Sequence, residues 1–167
     1  MGPISAETTI DAPRERVWKR LIDLAYRPSF CDHFQHDFRL ERIESAGTGA
    51  SARFRVEGPR LKLWMETVVE EAEEPAQIYE RGRGGRLDRI PIFTVWELAD
   101  GAGRTTEAKV TFWTEPANPL DRIRERGRPR RWLRRQWARA LERLKDQVET
   151  GAPVEPVGVA GADPQWR

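Results

Sequence analysis

The chain has 167 residues, 38% of them hydrophobic, which fits one domain at the usual ~100 to 200 residues and excludes wholesale disorder. No window approaches the ~18 consecutive apolar residues of a membrane span, and the N-terminus lacks the basic start and apolar run of a signal peptide, so a soluble, cytoplasmic protein is expected. Net charge is only +2, and a single cysteine, Cys31, excludes an internal disulfide or a cysteine-built zinc site. Taken in chain order, Ile4 to Ile10 alternates Ile4, Ala6, Thr8 and Ile10 against Ser5, Glu7 and Thr9. That is the pattern of a half-buried strand. Asp11-Ala12-Pro13 reads as a helix start, because Asp accepts an orphan amide proton and proline's missing donor is harmless in the first turn. Val17, Trp18, Leu21, Ile22 and Ala25 then share one face of a helix ending near Leu24. Tyr26-Arg27-Pro28 breaks it, and a second short helix or turn is expected over Ser29 to Gln35.

From Asp37 to Glu115 six strands are predicted, separated by turn residues at Gly47-Thr48-Gly49, Glu57-Gly58-Pro59, Glu74-Pro75, Gly82 to Gly85 and Asp100 to Gly103. Ala50, Ala52, Phe54 and Val56 form one apolar row; Leu61, Leu63, Met65, Thr67 and Val69 a second; Ile92, Thr94, Trp96 and Leu98 a third; Ala108, Val110, Phe112 and Thr114 a fourth. The residues between them are mostly polar, so one sheet face is wet. Trp64, Phe93, Val95 and Trp113 break that rule and suggest a contact surface, with a homodimer among its uses.

After Pro116 the period becomes helical. Leu133, Trp137, Ala140, Leu141, Leu144 and Val148 predict one amphipathic helix over Pro129 to Glu149, and Gly127 and Pro129 set Pro119 to Arg126 apart as a separate turn. Residues 118 to 147 hold eleven basic groups against four acids, +7 there and −5 elsewhere. Such a segment is either a solvated face or a contact for an anionic surface or acidic partner. Residues 1 to 150 are read as the domain, and Gly151 to Arg167, rich in Gly, Ala and Pro, as a flexible tail.

One long helix cannot cover both faces of a seven-stranded sheet, so the sheet must curl around it, apolar face inward. Small inward residues such as Ala6, Ala52, Ala108 and Ala140 leave space, which predicts an apolar pocket. Phe30, Phe54, Leu63, Met65, Trp96, Phe112, Trp137 and Leu141 are the expected lining. The competing reading has the aromatics simply closing the core.

Ile10-Asp11-Ala12-Pro13-Arg14-Glu15-Arg16-Val17-Trp18 resembles the strand-to-helix signature of the START-like superfamily, the polyketide cyclase/dehydrase and lipid-transport group. Asp23 with Tyr26-Arg27-Pro28-Ser29-Phe30, the hairpin Ala46-Gly47-Thr48-Gly49-Ala50, and Trp96-Glu97-Leu98 through Gly103-Arg104-Thr105 are similar to later parts of the family pattern. The likeness covers about residues 3 to 150. It implies an α+β helix-grip fold and a deep hydrophobic cavity, used by carriers, receptors and cyclases alike. A small hydrophobic or amphipathic ligand is the implied partner, with a carrier or sensor role and, alternatively, cyclase/aromatase-like chemistry.

Cys31-Asp32-His33-Phe34-Gln35-His36-Asp37 concentrates both histidines and the thiol. On a helix Asp32 and His36 would be neighbours, but nothing completes a metal site, so no metal or other cofactor is expected. His33, His36 and Tyr26 are the candidate acid/base residues. No Gly-x-Ser-x-Gly, phosphate-loop or dinucleotide fingerprint is present. Arg81 to Arg89 reads first as a hairpin turn, and nucleic acid ranks low as a partner.

Overall fold

The computed structural model describes residues 1–58, 61–85, 89–116 and 128–159. The period-2 stretches form β1 (Ile4–Ile10), β2 (Gln35–Leu40), β3 (Ser51–Gly58), β4 (Leu61–Glu73), β5 (Gln77–Gly84), β6 (Ile90–Asp100) and β7 (Thr106–Thr114). All seven pair antiparallel in the order β1-β7-β6-β5-β4-β3-β2, so β1 and β2 are the edges. Helices α1 (Arg14–Ile22) and α2 (Arg27–Cys31) follow β1, joined by a 3-10 turn at Leu24–Tyr26, and α3 (Arg128–Thr150) ends the domain. This is the expected α+β helix-grip fold.

The core lies where α3 meets the concave sheet. Phe54, Val56, Met65, Val69, Ile92, Trp96, Leu98, Val110 and Phe112 are buried from the sheet, and Leu133, Trp137, Ala140, Leu141, Leu144 and Val148 from the helix. Each set follows its own period, two on the strands and three to four on α3, so sequence pattern alone aims both at one interior. Gly58 lets the start of α3 approach the sheet: a β-carbon there would lie 2.5 Å from the Trp132 ring.

Local chemistry departs from expectation in three places. Asp11 does not cap α1. Pro13 occupies the capping position with no side-chain hydrogen bond, and the Asp11 amide donates to Glu149 Oε1 at 2.7 Å. Second, α2 starts at Arg27, with Pro28 tolerated in its first turn where no amide donor is needed, and stops at Cys31. The chain is already extended at Gln35, and Asp37, at φ 52, sits in the left-handed region beside a register shift between His36 and Arg39. An acidic side chain tolerates that backbone better than a branched one. Third, β5 continues through Gly82, which read as a turn, because the β4 and β5 backbones meet there too closely for a side chain. A β-carbon on Gly82 would stand 1.7 Å from the Glu66 carbonyl oxygen.

The separate turn expected at Pro119 to Arg126 lies outside the described residues. Beyond α3, the Val157 amide donates to the Ala25 carbonyl at 3.0 Å, and Val157 and Val159 pack against the core.

Candidate functional site

Along β5, Ile78, Glu80, Gly82 and Gly84 share the inward face. Parity therefore carries the Glu80 carboxylate into the core, 1% exposed, where it must be paired. Its neighbours supply the partners. Trp96 Nε1 on β6 donates to Oε1 at 2.8 Å and Thr67 Oγ1 on β4 to Oε2 at 3.0 Å. From α2 the Arg27 guanidinium spans both oxygens, Nη2 to Oε1 at 2.5 Å and Nη1 to Oε2 at 3.4 Å. It also lies 4.9 Å from the centre of the Trp96 ring. Burial alone would lower the Arg27 pKa, but the charge and hydrogen bonds of Glu80 outweigh it and hold the guanidinium protonated.

Cys31 lies at the end of the same short helix, fully buried, its thiol pushed up to about 12 mainly by burial. A thiol so held is not a nucleophile at neutral pH.

Arg27, Gln35, Glu80, Thr94, Phe34 and Trp137 are among the residues that line a space between sheet and helix. Its volume is about 10 Å³, on the order of one water molecule. Phe54, Met65 and Phe112, from the expected lining, border it as well. Phe30, Trp96 and Leu141 are buried outside it and Leu63 is half-buried. The roomy hollow expected from small inward residues is not what the described residues enclose. Phe30 packs edge-on to Trp96 at 6.3 Å, and Trp137 edge-on to Trp96 at 5.5 Å and to Phe34 at 5.1 Å, so these four aromatic rings pack together in the interior. Phe34 is missing from the expected lining because it sits inside the histidine-bearing stretch Cys31 to Asp37 rather than in a strand row.

Three polar atoms of this lining, Arg27 Nε, Gln35 Oε1 and Trp137 Nε1, are buried with no hydrogen-bond partner. Buried polar groups are seldom left so, and the side chains that carry these three border the same water-sized space.

The candidate acid/base residues stand apart from that space. His33 is half-buried against α3, its Nε2 3.2 Å from the Gln136 carbonyl and its Nδ1 3.1 Å from Arg143 Nη1. Its pKa is lowered, chiefly by burial, although the Gln136 carbonyl pulls the other way. His36 is on β2 opposite Arg55. Tyr26 lies beneath the Arg20 guanidinium, 4.3 Å from its ring centre. With Asp32 in a turn and His36 in a strand, the helical spacing that would have joined them is absent, and no metal-binding group of acids, histidines and cysteine occurs among the described residues. On the outer sheet face Phe93 stacks on Trp113 at 5.0 Å, and Arg53 and Arg55 cover Trp64. The rings that break the alternation are thus partnered within the chain. No described helix is long and apolar enough to cross a membrane.

Against this geometry, the family described as polyketide cyclase / dehydrase and lipid transport matches residues 1–149. The chain belongs to that family. Its fold is similar to that of TTHA0849 from Thermus thermophilus, with a TM-score of 0.68 at 18% identity over 90% of this chain and 99% of that one. Major latex-like protein 151 from Panax ginseng gives 0.65 at 12% identity, over 87% and 96%. DynU16, a putative protein of the dynemicin biosynthetic locus, gives 0.62 at 20% identity, over 93% of this chain and 50% of that one. At such identities the likeness is one of fold. A sequence comparison with curated proteins returns no match.

Proposed function

We propose that this member of the family binds a small hydrophobic or amphipathic molecule, lipid or polyketide-like, between sheet and α3, acting as a cytoplasmic carrier or sensor. The observation that carries this reading is the trio of unpartnered buried atoms, Arg27 Nε, Gln35 Oε1 and Trp137 Nε1, on side chains that border one space. Two donors and one acceptor suit an oxygen-bearing head, a carbonyl accepting and a hydroxyl donating. Phe54, Met65, Phe112 and Leu133 supply the apolar wall. A ligand larger than water enters by displacing Phe34 or Trp137. Covering ~300 Å² of apolar ligand surface at ~25 cal/mol per Å² supplies about 7 kcal/mol towards that displacement and the cost of association. Micromolar affinity or weaker follows.

The test is incubation with a hydrophobic extract, gel filtration, and mass spectrometry of what the protein retains. An unmodified compound retained by the wild type and released by Gln35→Leu is the expected result. No retained compound from the wild type overturns the reading.

The origin of DynU16 in a biosynthetic locus favours a second reading, a cyclase-like enzyme working on a ligand held at the same point. The proposed polar contacts are then Arg27 and Glu80, with His33, His36 or Tyr26 required only if the ligand extends to them. A rearranged product in the retained fraction is the outcome that would select this reading. Turnover unaffected by His33→Ala and His36→Ala would remove the histidines from it.

A further inference from the structure

Among the described residues the β1 edge of the sheet has no further strand beside it, and with the first half of α3 it forms a groove that ligand binding does not use. On β7 the Thr114 amide donates to Met1 and the Glu115 amide to Pro91 on the other side. Peptide groups alternate sides along a strand, so the even-numbered residues of β7 face β1. The register Ile4↔Phe112, Ala6↔Val110 and Thr8↔Ala108 then assigns the even residues of β1 to β7. Ser5, Glu7 and Thr9 turn their N–H and C=O groups to the open edge. Two contacts agree with this assignment: the Pro3 carbonyl accepts from Arg130 Nη2 at 2.7 Å, and the Asp11 amide donates to Glu149 at 2.7 Å.

Between those two clasps run two adjoining depressions of about 340 and 410 Å³ that share Ser5 and Arg134. One wall is Pro3 to Glu7, and the other carries Arg130, Arg131, Arg134 and Arg135. Further along, Thr8 Oγ1 donates to Glu142 Oε1 at 2.9 Å and closes the groove. Arg131, Arg134 and Arg135 are exposed and make no ion pair with any described residue, whereas Arg143 later on the helix pairs with Asp32 and Lys145 with Glu149. Arginines four apart on a helix are separated by ~6 Å along its axis, close to the ~6.7 Å between alternate residues of an extended chain. A row of carboxylates on one face of a strand matches that spacing.

We propose that this groove receives an extended acidic peptide segment of a partner protein, added beside β1 as a further strand. Backbone bonds to Ser5 and Glu7 would fix it and the arginine row would select its charge. The Glu7 carboxylate borders the second depression, so acidic side chains are best accommodated at the Arg130, Arg131 and Arg134 end. A flat anionic membrane could reach the arginines but not the edge amides.

The experiment uses the full chain and a fluorescein-labelled, acetylated hexapeptide alternating valine and glutamate, followed by anisotropy and by hydrogen exchange of individual amides. Saturable binding is expected, weakened about tenfold or more by Arg131→Glu with Arg134→Glu and by raising salt from ~0.05 to ~0.5 M. Exchange at Ser5 and Glu7 should slow, with Ile4 and Ala6 little changed. Peptides N-methylated on each alternate set of amides keep the charge, and one set must lose binding. If both bind as tightly as the parent, or if Ser5 and Glu7 exchange is unaltered, the added strand is wrong. If phosphatidylserine vesicles bind while the peptide does not, the occupant is a membrane and the proposal fails. Should the charge reversals unfold the chain, Arg131→Gln with Arg134→Gln must still weaken binding.

Discussion

The interior beneath β5 and the outer face of α3 both rest on arginine, and they use it in opposite ways. Arg27, 2% exposed, is given a two-pronged carboxylate and an indole face. Arg131, Arg134 and Arg135 face solvent with no acidic partner among the described residues. Removing a guanidinium from water is costly enough that the fold must answer it inside, whereas outside water answers it and the charge stays available to another molecule. Arginine placement thus distinguishes what holds this domain together from what it can offer outward.

The sharpest way to break that contrast is Glu80→Leu, which leaves the Arg27 charge buried and unpaired. A loss of about 3 to 5 kcal/mol in denaturant-derived stability is expected, with Arg27→Met added to the same chain restoring part of it. Equal losses for the single and double variants would show that the pair is not the source. Smaller and opposite in sign, Gln35→Leu removes a buried acceptor that has no donor, and should raise stability by about 1 kcal/mol while weakening retention of a polar-headed ligand. On the exposed side, Arg131→Ala and Arg134→Ala should each change stability by less than about 0.5 kcal/mol, and a larger loss would place them in the fold's own support.

The smallest effect concerns His33, whose folded pKa lies below its ordinary 6.5 because burial opposes the charge. The unfolded chain takes up that proton first, so stability should fall as pH drops through about 6.5 towards the lower folded value. His33→Gln should flatten the melting temperature over that window. An unchanged slope would assign it to other groups.

Most of the architecture was legible because strand and helix periods are directional signals. Alternate residues of Ala50 to Val56, Leu63 to Val69, Ile92 to Leu98 and Ala108 to Thr114 point inward, as does the Leu133 to Val148 stripe, with Leu63 half-buried at the margin. The polar cluster was not legible in the same way. Glu80 shares parity with Ile78, but its inward neighbours Gly82 and Gly84 read as turn chemistry, so no hydrophobic row exposed the carboxylate's position. Arg27 stood next to Pro28 and read as a helix breaker rather than as the first residue of a helix. The parity of Ile78 was the one available signal. Likewise Cys31 to Asp37 invited a helical reading that its extended backbone refuses at Gln35, and with it went the convergence of Asp32 and His36. The alanines suggested empty space because a sequence lists volumes without saying which distant rings, here Phe34, Trp96 and Trp137, come together in the same interior.

Glu80 accepts from three different elements at once, and this restricts how the gene can drift. A lineage that replaces the carboxylate strands a guanidinium, an indole N–H and a threonine hydroxyl together, so tolerated change at codons 27, 67, 80 and 96 should come in concert. Across descendants these four positions would then be inherited as one block, while the arginines outside α3's buried stripe vary singly with whatever each lineage meets.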